Sequence, residues 1–251
     1  MLIRYVFRLL CKTKFFFIKN QLYSPSLPLR EPFTFSRGFI ALTGLTTAAL
    51  SLVVARGLLT DNWWFFIMLS WNLFLAFFPL GVVLILRDIR SSDDGPGWFQ
   101  SNRLLIAGLL TWLAFLPNAP YIITDLFHIK NVQHPLLWFD TMSLFMFAQT
   151  GLLAGLYSTL VVHRMLRPLL GSLATWSVVL ASQFLSGFGI YLGRFGRWNS
   201  WDVLTNPTSL FQAITQSYHD HLSIKLTLAY GFVLVVLYMC FHWYVDYDRR
   251  S

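Results

Sequence analysis

Charged side chains are scarce in this sequence. Asp, Glu, Lys and Arg together make up 12% of its 251 residues, whereas hydrophobic residues make up 56%. Charged residues are about a quarter of a typical soluble domain. A soluble protein of this length could not cover its surface with so few charges. The composition therefore argues against the soluble class and indicates a protein that is integral to a membrane.

Cysteine frameworks and familiar catalytic motifs are also missing. The two cysteines, Cys11 and Cys240, lie near opposite ends of the chain and form no CxxC pair, so we expect two reduced thiols on the cytoplasmic side. The sequence contains no HExxH, GxSxG or Walker motif. Serine, thiol and nucleotide chemistry therefore have no support, and we predict neither a cofactor nor a metal site. The sequence shows no internal repeat of the kind that marks many transporters.

Long apolar runs dominate the chain. A helix of about 20 residues crosses about 30 Å of hydrocarbon, and no run alternates with the period of two that a strand requires. The sequence thus predicts an all-α integral membrane protein: a six-helix transmembrane bundle with a proline-broken third helix and a short interfacial helix before the sixth. The predicted spans are approximately 38–59, 64–86, 104–123, 141–162, 170–192 and 223–245.

Basic residues orient these spans. Fourteen of the 19 Lys and Arg residues fall on one side, four fall on the other, and Arg56 lies inside the first span. Because cytoplasmic loops are enriched in Lys and Arg, both termini should be cytoplasmic. The net charge of +8 is then explained by topology, and we predict the lipid bilayer rather than nucleic acid as the partner.

Three regions follow from this pattern. Residues 1–37 form a basic cytoplasmic or interfacial segment, residues 38–246 form the membrane domain, and residues 247–251 form a cytoplasmic tail. The basic segment is interrupted too often by Lys and Arg to be a signal peptide. Two interpretations of it stay open: an amphipathic helix on an anionic membrane surface, or a disordered tail.

The stretch FLPNAPYIITDLFH, residues 115–128, interrupts the third run with two prolines. Pro117 and Pro120 each lack an N–H and disfavour the α conformation in the preceding residue. The pair predicts a short non-helical segment at membrane depth, where Asn118 bonds the freed backbone groups. A binding site at a broken helix and a merely kinked helix are both compatible with this motif.

Polar residues follow this break on the predicted outer side. We expect Thr124 or Asp125 to cap a short helix on which Asp125 and His128 share a face. An Asp beside a His can orient and charge an imidazole, so these two residues are weak candidates for acid–base catalysis. Asp140 opens the fourth span from the same side. The other outer histidines have no specific metal spacing and are expected to be solvated: His134, His219 and His221.

A second motif, GIYLGRFGRWNSWD at residues 189–202, ends the fifth span on the same side. Two interpretations of Arg194 and Arg197 stay open. They could pair with outer aspartates and stack on tryptophans, or their guanidinium groups could hold a phosphate or carboxylate. The predicted ligand-binding set is Asn118, Asp125, His128, Asp140, Arg194, Arg197, Trp198, Asn199, Trp201 and Asp202.

The Asn206-Pro207 pair predicts the start of an interfacial helix over the outer mouth, capped by Asn206. We expect one apolar face on this helix, formed by Leu210, Phe211, Ile214 and Tyr218.

Small and polar residues inside the spans predict how the helices pack. Arg56 should snorkel or pair with Asp61. The glycine pairs Gly151/Gly155 and Gly189/Gly193 predict packing inside the bundle rather than dimerisation. Three polar residues should form interhelical hydrogen bonds: Asn72, Gln149 and Gln183.

The two long motifs together resemble a bacterial family of multi-spanning membrane proteins known as domain of unknown function 1361. The resemblance covers roughly residues 40–245. It implies a bacterial cytoplasmic (inner) membrane and brings with it no activity, substrate or catalytic residue.

Three functions therefore stay open. The favoured hypothesis is a binding or accessory protein that holds an anionic lipid headgroup, or another membrane protein of the envelope, through Arg194 and Arg197 in an outward-facing polar pocket. The alternative is a membrane enzyme acting at the outer leaflet, in which Asp125 and His128 supply acid–base or metal chemistry. A small-solute transporter has the least support, because intramembrane charges are few. The first two hypotheses require Asp125 and Arg194 to meet at a common mouth.

Overall fold

The computed structural model describes residues 37–91, 102–131 and 136–248. These residues are mostly helical, with short turns between the helices, and six segments are long and apolar enough to cross a membrane. The predicted all-α bundle of six spanning helices is thus confirmed. The predicted basic segment lies almost wholly outside the described residues.

The elements are α1 (Arg37–Thr60), α2 (Trp64–Ser91), α3 (Asn102–Phe115), α4 (Asn118–Tyr121), a 3-10 segment (Ile122–Asn131), α5 (Leu137–Leu170), α6 (Ser172–Arg194), α7 (Asp202–Thr205), α8 (Pro207–Ser217) and α9 (His221–Asp248).

Helix α5 lies at the centre of the bundle. Two thirds of its apolar window is buried (67%), compared with 17% for the windows of α1 and α9. Small residues along α5 allow its neighbours to approach closely, which drives helix association where lipid offers no hydrophobic gain. Both α2 and α6 pack against it.

The fourth span is longer than predicted. We expected it to end near residue 162 and to be followed by a loop, but α5 continues to Leu170 and only Gly171 separates it from α6. Basic residues such as Arg167 suit the last turn of a helix because they complement its dipole. Gly171 turns the chain at φ 77° and ψ 171°, a backbone region that is essentially restricted to glycine.

The break in the third span is smaller than predicted. The α-helix stops at Phe115 and the chain turns at Leu116 and Pro117, but a new helical turn starts at once. Pro117 has helical dihedrals, and Pro120 sits in the first turn of α4, where backbone N–H groups have no intrahelical partner in any case. The expected cap at Thr124 or Asp125 is wrong. Both residues lie within the 3-10 segment, and the Thr124 hydroxyl donates to the carbonyl of Tyr121.

Two glycine ribbons hold this break in place. A Cβ atom on Gly151 would come within 2.8 Å of the carbonyl oxygen of Ala119, and one on Gly189 would overlap the ring of Pro117. Gly151 belongs to α5 and Gly189 to α6, so the broken segment is packed between them. The predicted role of the glycine pairs in bundle packing is therefore confirmed.

Helix α8 begins at Pro207, directly after Asn206, as predicted. The Asn206 side chain makes no capping hydrogen bond, so that part of the prediction is wrong; its carbonyl accepts from the N–H of Leu210 instead. Of the predicted apolar face, Leu210 is buried, whereas Phe211 and Tyr218 are exposed. This exposure is what a helix in a bilayer interface requires, because lipid covers the apolar face.

We call one end of the bundle the site end. It carries the 61–63 turn, the 3-10 segment and residues 195–220. Alternating helix directions place these connections together, and the contacts described next join them.

Candidate functional site

Asp125 joins three elements at the site end. Its carboxylate accepts a 2.7 Å hydrogen bond from Asn72 Nδ2 of α2 and lies 3.5 Å from Arg194 Nη1 of α6. Asp125 itself belongs to the 3-10 segment and is only 2% exposed. The structure therefore brings Asp125 and Arg194 together, as the outer-mouth hypothesis requires. Asn72 also forms the interhelical bond that its position inside a span predicts.

Asn118 links the break to the segment after α6. Its Nδ2 donates to the carbonyl of Phe115 at 3.1 Å and to Ser200 Oγ at 3.0 Å. The first bond confirms that Asn118 satisfies a backbone group freed by the prolines. The second bond brings the two sequence motifs into direct contact, although they are about 80 residues apart.

Asp140 belongs to a different ion pair. Arg56 Nε and Nη2 donate to its two carboxylate oxygens at 2.5 and 3.1 Å, and both side chains are buried. The guanidinium also lies 4.0 Å from the centre of the Phe65 ring. Our expectation that Arg56 snorkels or pairs with Asp61 is wrong. Asp140 offsets the charge of Arg56 rather than that of Arg194, and its contacts are those of a structural residue.

Arg197 occupies an unusual backbone conformation. Its φ is +56°, in the left-handed region that few residues other than glycine adopt. The N–H groups of Gly196 and Trp198 bond back to carbonyls of the last turn of α6, which ends the helix around Arg197. The side chain is exposed, and it makes no hydrogen bond or ion pair with another residue in the described ranges.

The remaining predicted ligands surround Arg197 in sequence. Trp198 is half-buried, and its ring packs on the backbone of Gly196. Asn199 and Trp201 are exposed. Asp202 accepts from the N–H of Asn199 at 2.7 Å and from Thr205 Oγ1 at 3.2 Å. Its carboxylate therefore closes a local turn, and no contact places it on either arginine.

The histidines contribute little to this arrangement. His128 lies three residues after Asp125 in the 3-10 segment, one turn further along, but its side chain lies outside the described residues. His134 lies outside them as well, and His219 and His221 are exposed. Within the described ranges, no group of three His, Cys, Asp or Glu residues is placed to hold a metal. Asp125 is buried and contacts Asn72 and Arg194, which is the environment of a structural ion pair more than that of a general base.

Two contacts between polar side chains were not predicted from the sequence. Tyr191 Oη donates to Asp220 at 2.6 Å and ties α6 to the turn before α9. This bond and the N–H of Leu222 hold the pKa of Asp220 below its ordinary value. The two side chains are 29 residues apart, and no local sequence pattern predicts that they pair.

The second missed contact lies towards the opposite end of the bundle. His163 Nδ1 lies 2.8 Å from Tyr238 Oη, and the His242 ring lies tilted against the His163 ring with centroids 4.8 Å apart. We did not predict this buried cluster because we expected His163 to lie in a loop. A longer fourth helix would have placed His163 inside the bundle.

Two other polar residues within spans were expected to bond between helices. Gln183 does so, because its Nε2 donates to Thr159 Oγ1 at 3.3 Å and joins α6 to α5. Gln149 forms no such bond with a described residue.

A family model described as a protein of unknown function (DUF1361) matches residues 71–237, more than half of the chain. The matched range includes the break, Asp125, Asp140 and the segment around Arg197. No curated protein and no solved structure matches.

Proposed function

Because the chain belongs to the family described as a protein of unknown function (DUF1361), which offers no activity to transfer, we propose a function from the geometry: the site end binds an anionic lipid headgroup through Arg197. Arg194 precedes this residue by three positions in the chain, and Trp198 and Trp201 follow it. The proposal places the protein in a bacterial cytoplasmic membrane, with the site end outward and both termini in the cytoplasm.

The observation that carries this proposal is the state of Arg197. A left-handed conformation costs a non-glycine residue about 1–2 kcal/mol. Such cost is typically retained at functional sites. Here it presents an exposed guanidinium that makes no described ion pair, beside tryptophans that favour the headgroup region of a bilayer.

The neighbouring charges leave this guanidinium as the net positive group. Arg194 lies within 3.5 Å of Asp125, so those two charges largely cancel. Asp202 is engaged by Asn199 and Thr205 in its own turn. An incoming phosphate therefore meets Arg197 first, and the fork of N–H donors on a guanidinium suits two phosphate oxygens.

Substitution of Arg197 tests the proposal. Arg197→Gly removes the guanidinium and relieves the backbone strain, whereas Arg197→Ala removes the guanidinium alone. Binding of phosphatidylglycerol to detergent-purified protein is measured by native mass spectrometry. A hydrogen bond to a charged group contributes about 1.5–3 kcal/mol, so we expect both variants to bind about 10–100-fold more weakly.

The matched control is Asp61→Gly. Asp61 also has a left-handed backbone, with φ +54°, and lies at the same end of the bundle. This change relieves similar strain without removing a cation, and we expect headgroup binding to be unchanged. Unaltered lipid binding in both Arg197 variants, or no lipid binding by the native protein, would refute the proposal. The second outcome would favour a protein partner in the envelope.

A further inference from the structure

We infer that Trp198 is a positioning residue of the headgroup site: its ring holds Arg197 in the left-handed conformation, and the ring itself does not bind the ligand. The inference rests on the proposed function, because it takes Arg197 as the group that meets the phosphate. It changes the role of Trp198, which the sequence placed among the ligand-binding residues. It also gives Gly196 a role, which is to make room for the ring.

Two contacts of Trp198 fold the chain back onto the end of α6. Its N–H donates to the carbonyl of Leu192 at 3.1 Å. Its ring lies against Gly196, where an added Cβ atom would come within 2.7 Å of the ring atom Cδ1. Arg197 lies between Gly196 and Trp198, so both contacts close the chain around it, and its φ is +56°. The turn at Arg197 is therefore set by the residues on either side of it.

Gly196 is required by the position of the ring and not by its own backbone. Among the described glycines only Gly171 has a positive φ, so Gly196 does not use the conformational freedom of glycine. A Cβ atom at Gly196 would also lie 2.7 Å from the carbonyl oxygen of Leu192, which is too close for a methyl carbon. A side chain at this position would therefore disturb both contacts of Trp198 at once.

The residues around Trp198 fix the other end of the turn. Ser200 Oγ accepts from Asn118 Nδ2 at 3.0 Å, which ties the segment to the break in the third span. The carbonyl oxygen of Trp198 lies 3.6 Å from where a Cβ atom on Gly193 would be, so the chain here runs close to α6. A residue in a sparsely populated backbone conformation persists only where its surroundings over-determine it. Trp198 stands between these anchors and Arg197 and transmits their constraint to the arginine.

The edge of the indole that carries its N–H donor is the edge on Gly196. The ring nitrogen Nε1 would be 3.2 Å from an added Cβ atom there, and Trp198 is half-buried. Indole has no other hydrogen-bonding group. The Arg197 guanidinium is exposed and has a fork of N–H donors. This division favours packing as the role of the ring and phosphate binding as the role of the guanidinium.

The cost of the left-handed conformation sets the size of the expected effect. Without the ring the segment is free to leave that conformation, which a non-glycine residue then adopts about 5–30-fold less often. The apparent affinity falls with the fraction of protein that is competent to bind. We therefore expect Trp198→Ala to weaken binding of phosphatidylglycerol about 5–30-fold. Trp198→Phe keeps a flat ring for Gly196 and should restore most of the affinity.

The experiment measures the effect of Trp198→Ala in the native protein and in Arg197→Gly, by the same native mass spectrometry. Arg197→Gly has no guanidinium to position, so Trp198→Ala should lower its residual affinity by less than about twofold. Trp138→Ala in the native protein is the matched control. Trp138 lies in the first turn of α5 at the site end and is 65% exposed, and we expect its removal to leave binding unchanged. Equal losses from Trp198→Ala and Trp138→Ala would overturn the inference, because any interfacial tryptophan would then do the same.

A second variant covers the case in which Trp198→Ala does not fold, as judged by thermal unfolding in detergent. Gly196→Ala keeps both the ring and the guanidinium but displaces the ring from its place. We expect it to weaken lipid binding in the native protein and to have no effect in Arg197→Gly. If Trp198→Ala unfolds, a normal lipid affinity of Gly196→Ala overturns the inference. Unfolding of both variants also overturns it, because the whole fold would then depend on Trp198.

The outcomes separate this inference from the proposed function. If Arg197→Gly weakens lipid binding while Trp198→Ala binds normally, the positioning role is wrong and the headgroup site stands. If Trp198→Ala weakens binding equally in the native protein and in Arg197→Gly, the ring contacts the lipid itself, so the inference falls and the site again stands. If Arg197→Gly binds like the native protein, the headgroup site is overturned and with it this inference.

Discussion

The buried pair of Arg56 and Asp140 gives the sharpest test of the fold. The Asp140→Asn substitution removes one charge and leaves the guanidinium buried with an amide. Two unit charges 4 Å apart interact by about 4 kcal/mol at an effective dielectric constant of about 20. Loss of one partner of a buried pair typically costs about 3–5 kcal/mol. Arg56 Nη1 has no hydrogen-bond partner among the described residues, so we expect the lower end, about 3 kcal/mol.

The measurement is thermal unfolding in detergent, followed by intrinsic tryptophan fluorescence. One kcal/mol shifts the midpoint by about 2–4 °C in a protein of this size, so Asp140→Asn should lower it by about 6–12 °C. Asp88→Asn is the control. Asp88 pairs with Arg87 at 2.7 Å, but its side chain is 65% exposed. An exposed pair contributes about 0–1 kcal/mol, so this change should move the midpoint by no more than about 4 °C.

A double substitution distinguishes a lost charge from lost packing. Replacing both partners of a buried pair by apolar residues of similar size is often neutral. We therefore expect Arg56→Met/Asp140→Leu to be more stable than either single variant. Stabilisation by the buried charge pair is refuted if the unfolding midpoint of Asp140→Asn lies within 2 °C of that of Asp88→Asn. It is also refuted if the double variant is no more stable than the single ones.

Three further changes test other contacts. Gly189→Ala drives a methyl group into the ring of Pro117 and should destabilise the protein by at least about 1–3 kcal/mol in the same thermal unfolding experiment. Gly81→Ala on α2 places its methyl group in open space and should stabilise the protein by about 0.5–1 kcal/mol. A loss of stability in both variants would contradict the close packing at Gly189. Because the pKa of Asp220 is lowered by folding, its contribution to stability is present above the ordinary Asp pKa of about 3.9 and is lost as the pH falls through the folded-state value. Asp220→Asn should therefore lower the midpoint at pH 7 and make no difference in strong acid, and a deficit independent of pH would argue against this. Tyr238→Phe removes the 2.8 Å bond to His163 and should cost about 1 kcal/mol by thermal unfolding, and a change below 0.3 kcal/mol would show that the bond contributes little.

The spans were predictable because the bilayer sets their length. Apolar runs near 20 residues give both the number of helices and their order. The same principle explains the error at α5, since hydropathy reports where lipid ends and not where the hydrogen-bonded helix ends. His163 and Arg164 are polar, yet they continue the helix inside the bundle.

The candidate site was predictable only in part. Topology sends Asp125 and Arg194 to the same end, and the structure confirms that they meet. The choice of partners could not be read from the chain, because it depends on how the helices are rotated. Several aspartates were available at that end, and only packing decides that Asp140 faces Arg56. An apolar groove between α6, α8 and α9 needs three helices to form, so no single stretch of sequence contains it.

The pairing of Arg56 with Asp140 also bears on how the protein is made. The two residues are 84 positions apart. At about 5–20 residues per second, the ribosome needs about 4–17 seconds to supply the second after the first. During that interval a lone cation in the first segment has no counterion from the fourth. A lone arginine at the centre of a span costs about 2.5–3.5 kcal/mol, so we expect the first segment to be held less stably in lipid until the aspartate has left the ribosome.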